Sequence, residues 1–198
     1  MLEIFNHTQG TPEWHESRCG IITASCFSDV LAKGAGKTRR TYMLKLAGER
    51  ITGNVADNFS NAHMERGHEQ ESIARSLYEE QQGIKIIQCG FMKHGSFGYS
   101  PDGLIGDDGL LEIKTKLAHL QAAVLIDGEV PSEHIAQIQG GLMVSGRRYL
   151  DFVSFCPGMP FFIKRVERDE AYIANLHQEL MKFEDELNAT IKILESKF

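Results

Sequence analysis

Two carboxylates and an amine stand close together in Ser100-Pro101-Asp102-Gly103 and Leu110-Leu111-Glu112-Ile113-Lys114. Strand alternation puts Leu111 and Ile113 on one face, and Glu112 and Lys114 on the other, away from the core. A turn at residues 106–109 pairs the segment carrying Asp102 with this strand, which sets Asp102 beside Glu112. Two carboxylates and one backbone carbonyl form a hard oxygen site, suited to Mg²⁺ or Mn²⁺ with water and a phosphate oxygen completing the shell. The ammonium beside it would orient an attacking water, stabilise its hydroxide form and offset charge on the phosphate. That is the chemistry of phosphodiester hydrolysis. The plainer alternative is a surface hairpin with a salt-bridged Glu–Lys pair.

Three other groups of residues favour the chemical reading. Glu71, in Gly67-His68-Glu69-Gln70-Glu71, borders the helix side that carries Ala74 and Tyr78, whereas Glu65, Glu69, Glu79 and Glu80 face solvent. It is a candidate further ligand for metal or water. Gln137, in His134-Ile135-Ala136-Gln137-Ile138-Gln139, leaves the core to Ile135, Ile138 and Leu142, and a glutamine there would position water. Trp14-His15-x-x-Arg18-x-Gly20-Ile21-Ile22-Thr23-Ala24-Ser25 sets a guanidinium and a hydroxyl around a helix start, an arrangement that suits phosphate. Cations concentrate at Lys33, Lys37, Arg39, Arg40, Lys45 and Arg50, against the single acid Glu49. They read either as a solvated loop and helix face or as a surface for DNA phosphates.

These residues need a scaffold, and periodicity supplies one. An irregular arm to Trp14 precedes a short helix over 23–32, capped by Thr23 or Ser25. Helices are predicted over 39–52 and over 62–82, the latter stopped by Gly83. Strands follow at 84–89 and 91–94, then a hairpin of 98–105 and 110–116. Helices over 118–126 and 132–144, strands at 149–156 and 161–167, and a long helix from Glu170 complete the chain. Ile173, Leu176, Leu180, Phe183, Leu187, Ile191 and Leu194 give that helix one apolar stripe. The expected fold is α/β: a central mixed β-sheet flanked by helices, in one domain over 1–198.

Bulk properties narrow the function. A net charge of −6 argues against a generic nucleic-acid binder but not against an enzyme whose site is acidic. No apolar run reaches the roughly eighteen residues of a membrane span, and the amino-terminal stretch has no apolar signal region. The four scattered cysteines read as reduced thiols, and a cytoplasmic location is expected. Gly34-Ala35-Gly36-Lys37-Thr38 lacks the leading glycine of a P-loop, because Leu31 stands there. The eight histidines form no His-x-x-x-His helix, so a zinc hydrolase is not expected. Asp107 and Asp108 read as turn residues.

Pro-Asp followed by Glu-x-Lys resembles the PD-(D/E)xK nucleases, which implies a restriction-endonuclease-like core. The ordered series of Trp14-His15-x-x-Arg18, Ile22-Thr23-Ala24-Ser25, Gly67-x-x-x-Glu71, Ser100-Pro101-Asp102-Gly103, Leu111-Glu112-Ile113-Lys114, Ala136-Gln137-Ile138-Gln139 and Val166-Glu167-Arg168-Asp169-Glu170 is similar to lambda-type exonucleases, the YqaJ-like viral recombinases. The resemblance implies a processive, Mg²⁺-dependent 5′-to-3′ exonuclease on double-stranded DNA, with Mn²⁺ a possible substitute and two ions per site. It implies release of mononucleotides from 5′-phosphorylated ends and a 3′ overhang for recombination. It also implies a ring-shaped homotrimer, a single-strand annealing protein as partner, and no membrane. Carried over, Asp102, Glu112 and the carbonyl of Ile113 bind metal, Glu71 supports a second ion, and Lys114 and Gln137 handle the water. Arg18, Ser25 and Ser100 hold the terminal 5′-phosphate, with Lys37, Arg39 and Arg40 as further DNA contacts. His134 stands where relatives can carry tyrosine, and Met64 is either a strand-separating wedge or core. The alternatives are a PD-(D/E)xK endonuclease of restriction or repair type, and a binding protein with a decayed site.

Overall fold

A computed structural model describes residues 1–32, 37–55 and 62–198, with only the backbone described for 62–69. Lys33, the Gly34-Ala35-Gly36 part of the P-loop-like string, and the side chains of Met64, Glu65 and Glu69 lie outside the described residues.

The chain opens with strand β1 (Leu2–Phe5) and helix α1 (Pro12–Ser17), where an irregular arm was expected. β1 is an edge strand whose side chains are largely exposed, so no alternation marks it. Thr11 caps α1 by accepting from Trp14 N at 3.4 Å, and Pro12 opens its first turn. Strand β2 (Ile22–Thr23) leads into a 3₁₀ turn (Ala24–Cys26) and helix α2 (Phe27–Leu31). The expected cap is not formed. Neither Thr23 nor Ser25 bonds a helix N–H, and their hydroxyls face each other at 3.3 Å.

Helices α3 (Thr38–Thr52) and α4 (Ala62–Gln82) follow close to expectation. Residues 84–89 make only an isolated bridge, Ile87 to Leu104, and no strand. The strand expected over 98–105 is divided. β3 (Phe91–His94) and β4 (Phe97–Tyr99) belong to one sheet, and β5 (Gly103–Ile105) begins another with β6 (Gly109–Thr115). Pro101 lies at the break, where a residue without an N–H cannot continue a ladder. Helix α5 (Ala118–Asp127), a 3₁₀ turn (Ser132–His134) with helix α6 (Ile135–Ser145), strands β7 (Tyr149–Phe155) and β8 (Phe162–Glu167), and helix α7 (Glu170–Glu195) complete the fold.

The architecture is mixed α/β, with the ladders in two four-stranded sheets rather than one. The first has the order β1-β3-β4-β2 and the second β5-β6-β7-β8, the β6–β7 pair being parallel. Both faces of the second sheet are covered. Leu110, Leu150 and Phe152 pack into the larger core with α6 and α7, whereas Leu111, Ile113 and Val153 pack with Ala74 and Tyr78 of α4. The predicted stripe of α7 is buried from Ile173 to Leu187, but Leu194 is 36% exposed at the helix end. Among the described residues no helix is long and apolar enough to cross a membrane.

Candidate active site

β6 sits between two layers, so Glu112 does not point away from the core as alternation suggested. It is 2% exposed, and three neighbours share its carboxylate. Tyr99 OH donates to Oε2 at 2.6 Å, Gln137 Nε2 donates to Oε1 at 2.6 Å, and Lys114 Nζ lies 2.8 Å from Oε1. Lys114 also donates to Gln137 Oε1 at 3.1 Å, closing a three-membered network. Gln137 reaches Glu112 because α6 packs closely. A Cβ at Gly141 would stand 2.8 Å from the Tyr99 ring, so glycine there admits the ring whose hydroxyl holds Glu112.

Asp102 enters from the segment before β5. Its N–H donates to Leu111 O at 3.0 Å, and its Oδ2 accepts from Ile113 N at 2.6 Å. The side chain thereby takes the place of a backbone acceptor and is fixed against β6 opposite Glu112. Gly103 allows this approach, since a Cβ there would lie 2.1 Å from Ile86 Cγ2. Glu71 comes from α4 on the other side of the sheet and pairs with Arg75, which also donates from Nε to the Asp102 carbonyl at 3.1 Å.

The electrostatics favour positive charge here. Burial, then the charges of Glu112 and Glu71, raise the Asp102 carboxyl well above its ordinary range. Burial opposes the charge on Lys114, but Glu112, Asp102 and Glu71 outweigh it and raise its pKa. Lys114 therefore stands at the site as an ammonium at neutral pH, a hydrogen-bond donor. Among the described residues no three His, Cys, Asp or Glu side chains are grouped so as to hold a metal ion between them. An open set of one or two carboxylates suits Mg²⁺, which keeps water and takes phosphate oxygens. Asp102 and Glu71 border a cavity of about 270 Å³ that such a shell requires. Asp102 and Glu71, which border this cavity, thus fit a divalent cation.

A second cavity, of about 760 Å³, is lined by Trp14, Arg18, Tyr42 and Lys45. Arg18 lies over the Trp14 ring at 4.2 Å, and its Nη1 donates to Ser100 Oγ at 2.9 Å. Trp14 Nε1 holds the same hydroxyl at 3.1 Å. Among the described residues the Arg18 guanidinium makes no other hydrogen bond, so most of its donors remain available to an anion. Gln9 borders both cavities, and its Nε2 donates to the carbonyls of Cys89 and Pro101 at 3.1 and 2.8 Å.

The other expected contacts fare differently. Ser25 is exposed and touches Thr23 rather than Arg18 or Ser100. Lys37 and Arg40 are exposed. Arg39 is engaged by Glu186 at 2.6 and 3.0 Å and by Val30 O, which ties α3 to α7. Glu79 accepts from Ile86 N at 2.8 Å instead of facing solvent. Tyr99, Arg75 and Gln9 were not legible as site residues. Only Arg75 left a signal, its i,i+4 spacing from Glu71.

His134 lies at the rim, with Nε2 3.2 Å from Lys116 Nζ and its ring against Phe152 at 5.4 Å. Burial, then Lys114 and Lys116, push its pKa down to about 4. It is neutral at neutral pH and accepts from Lys116. Because the folded pKa lies below the unfolded value near 6.5, the unfolded chain takes the proton first, and stability falls as pH drops from about 6.5 toward 4. His134→Gln is expected to flatten that part of the stability profile by roughly 1–3 kcal/mol at its acid end. Denaturant unfolding at several pH values checks this, and identical profiles for the two proteins would refute it.

The sequence profile described as the YqaJ-like viral recombinase domain matches residues 13–148. Among curated proteins, no match is found. An alkaline exonuclease from Laribacter hongkongensis, LHK-Exo, is 38% identical with a TM-score of 0.87, and 94% of this chain and 97% of that chain are covered. LHK-Exo in complex with dAMP gives 39% identity and a TM-score of 0.88 over the same shares. A phage-related exonuclease from Haemophilus somnus 129PT is 14% identical over 88% of this chain and 96% of that chain, with a TM-score of 0.66, and shares the fold.

Proposed function

This chain belongs to the YqaJ-like viral recombinase family and is a nuclease, and we propose that it is a Mg²⁺-dependent exonuclease digesting double-stranded DNA processively from 5′-phosphorylated ends. One observation carries the reading: Arg18 and Asp102 are joined through Ser100-Pro101-Asp102. Ser100 bonds the guanidinium, and two residues later Asp102 bonds the strand bearing Glu112. Two residues of chain span at most roughly 7 Å, so the partner of Arg18 and the Asp102 carboxylate belong to one short segment. A terminal phosphate on Arg18 would bring the end of the strand near the carboxylates, which suits release of mononucleotides.

Asp102, Glu112, the Ile113 carbonyl and Glu71 would hold the cation, with room for a second. Bound there, Mg²⁺ supplies Lewis-acid polarisation of the phosphate and lowers the pKa of water. Lys114 spends two of its three N–H bonds on Glu112 and Gln137 and aims the third at the attacking water. Gln137 holds the ammonium and Glu112 together and so fixes that direction. The expected assembly is a homotrimeric ring around the duplex, working with a single-strand annealing protein on the 3′ overhang. Exposed Lys37 and Arg40 remain candidate contacts to DNA.

The test is digestion with Mg²⁺ of linear duplex bearing 5′-phosphate, linear duplex bearing 5′-hydroxyl, and closed circular plasmid. Nucleotide release from phosphorylated linear ends with an intact circle is expected. Cutting of the circle would move the assignment to an endonuclease. Arg18→Ala is expected to slow digestion of phosphorylated ends about a hundredfold, consistent with loss of a charge-assisted contact, and to affect 5′-hydroxyl ends much less. Equal losses on both substrates would remove Arg18 from phosphate recognition.

A further inference from the structure

Arg75 stands where Glu71 and Asp102 meet. Its Nη2 pairs with Glu71 Oε1, and its Nε donates to the Asp102 main-chain oxygen at 3.1 Å. An ordinary i,i+4 pair is solvated and confined to its own helix. This pair has side-chain exposures of only 15% and 23%, and its second arm crosses from α4 to the segment before β5. Arg75, Glu71 and Asp102 all line the same cavity.

Three carboxylates gathered inside a protein repel one another unless cations lie between them. Lys114 performs that role beside Glu112. On the opposite side, toward Glu71, the described cation is Arg75. We infer that Arg75 is a resident counter-ion of the carboxylate cluster, holding Glu71 at the site in the ion-free protein and competing with the divalent cation for that carboxylate. An incoming dication meets a Glu71 already partly neutralised, so it binds more weakly than the carboxylates alone would allow. The fold is in turn kept intact while the ion is absent.

This inference rests on the cluster being a divalent-cation site, and the experiment separates the two claims. Mn²⁺ is titrated calorimetrically, without DNA, into the parent, Arg75→Gln, Arg75→Lys, Asp102→Asn and the double variant Glu71→Gln/Arg75→Gln. Arg75→Gln is expected to bind Mn²⁺ about tenfold more tightly, the scale of one neighbouring charge. Its ion-free form is expected to unfold several degrees lower, a deficit that Mn²⁺ removes. Arg75→Lys, which keeps the charge but not the fork, should fall between parent and Arg75→Gln. The gain should vanish when Glu71 is also replaced, since the coupling runs through that carboxylate. Equal or weaker binding by Arg75→Gln overturns the inference. Should that variant not fold without ion, Arg75→Lys decides: tighter binding than the parent supports the inference, and equal or weaker binding overturns it. Binding that Asp102→Asn abolishes but the Arg75 variants fail to tighten refutes only the counter-ion. A parent that shows no Asp102-dependent binding refutes the cation site itself.

Discussion

Asp102→Asn is expected to abolish digestion while making the ion-free protein more stable. The two effects share one cause. Burial, Glu112 and Glu71 hold the Asp102 carboxyl well above its usual pKa, so ionising it costs more in the folded protein than in the unfolded chain. The sign follows from linkage: with the folded pKa raised, the group's contribution to stability is full below the ordinary carboxyl range and is lost as pH rises through the folded pKa. Asparagine removes the charge and keeps an oxygen that accepts from Ile113 N. The cation site loses a principal ligand, and the rate should fall at least about a thousandfold. Thermal unfolding with and without Mg²⁺ supplies the second readout. The parent should gain about 2–3 kcal/mol at a hundredfold excess of ion over its dissociation constant, and the variant nearly none. A variant that is inactive, less stable when ion-free and still stabilised by Mg²⁺ would show that Asp102 holds the fold rather than the ion.

Lys114→Ala should produce a loss of rate of similar size, about a hundredfold to a thousandfold, with the opposite effect on stability. Lys114 is the cation within 2.8 Å of buried Glu112, and removing it leaves carboxylates facing one another. Deleting one partner of a buried pair costs about 3–5 kcal/mol, and the lysine's side-chain exposure of 27% places the expected loss at the low end of that range. Lys114→Arg distinguishes charge from position. It should recover much of the stability and little of the rate, because a planar fork cannot place its donors where a tetrahedral ammonium does. Digestion rates and denaturant unfolding on the three proteins test both parts. Activity of Lys114→Ala within tenfold of the parent would exclude Lys114 from the reaction.

The opposite signs of the two stability changes reflect how the site is built. Glu112 is held by Tyr99, Gln137 and Lys114, whereas Asp102 is held by Ile113 N and borders a cavity. Glu112 is held in place by three side chains of the fold, and Asp102 is the carboxylate that borders the cavity. Arg75 completes the arrangement on the α4 side.

Much of this was legible in the sequence because it depended on local order. Asp102, Glu112 and Lys114 are linked by a tight hairpin, so spacing and alternation brought them together without knowledge of the rest. Helices α3 to α7 followed from periodicity and from glycine stops, and Gln137 from its face of α6. The tertiary structure decided what alternation cannot express. Strand β6 is covered on both sides, so Glu112 is buried where a one-sided sheet would have exposed it. The ladder breaks at Pro101 because a missing N–H ends one pairing, and the freed Asp102 side chain then completes another. Tyr99 reaches Glu112 only because glycine at position 141 lets α6 come close, and Arg39, one of a run of cations, is claimed by Glu186, 147 residues away. Local order brought the candidate groups together. Long-range packing set the burial and charge around them, because both depend on neighbours far apart in the chain.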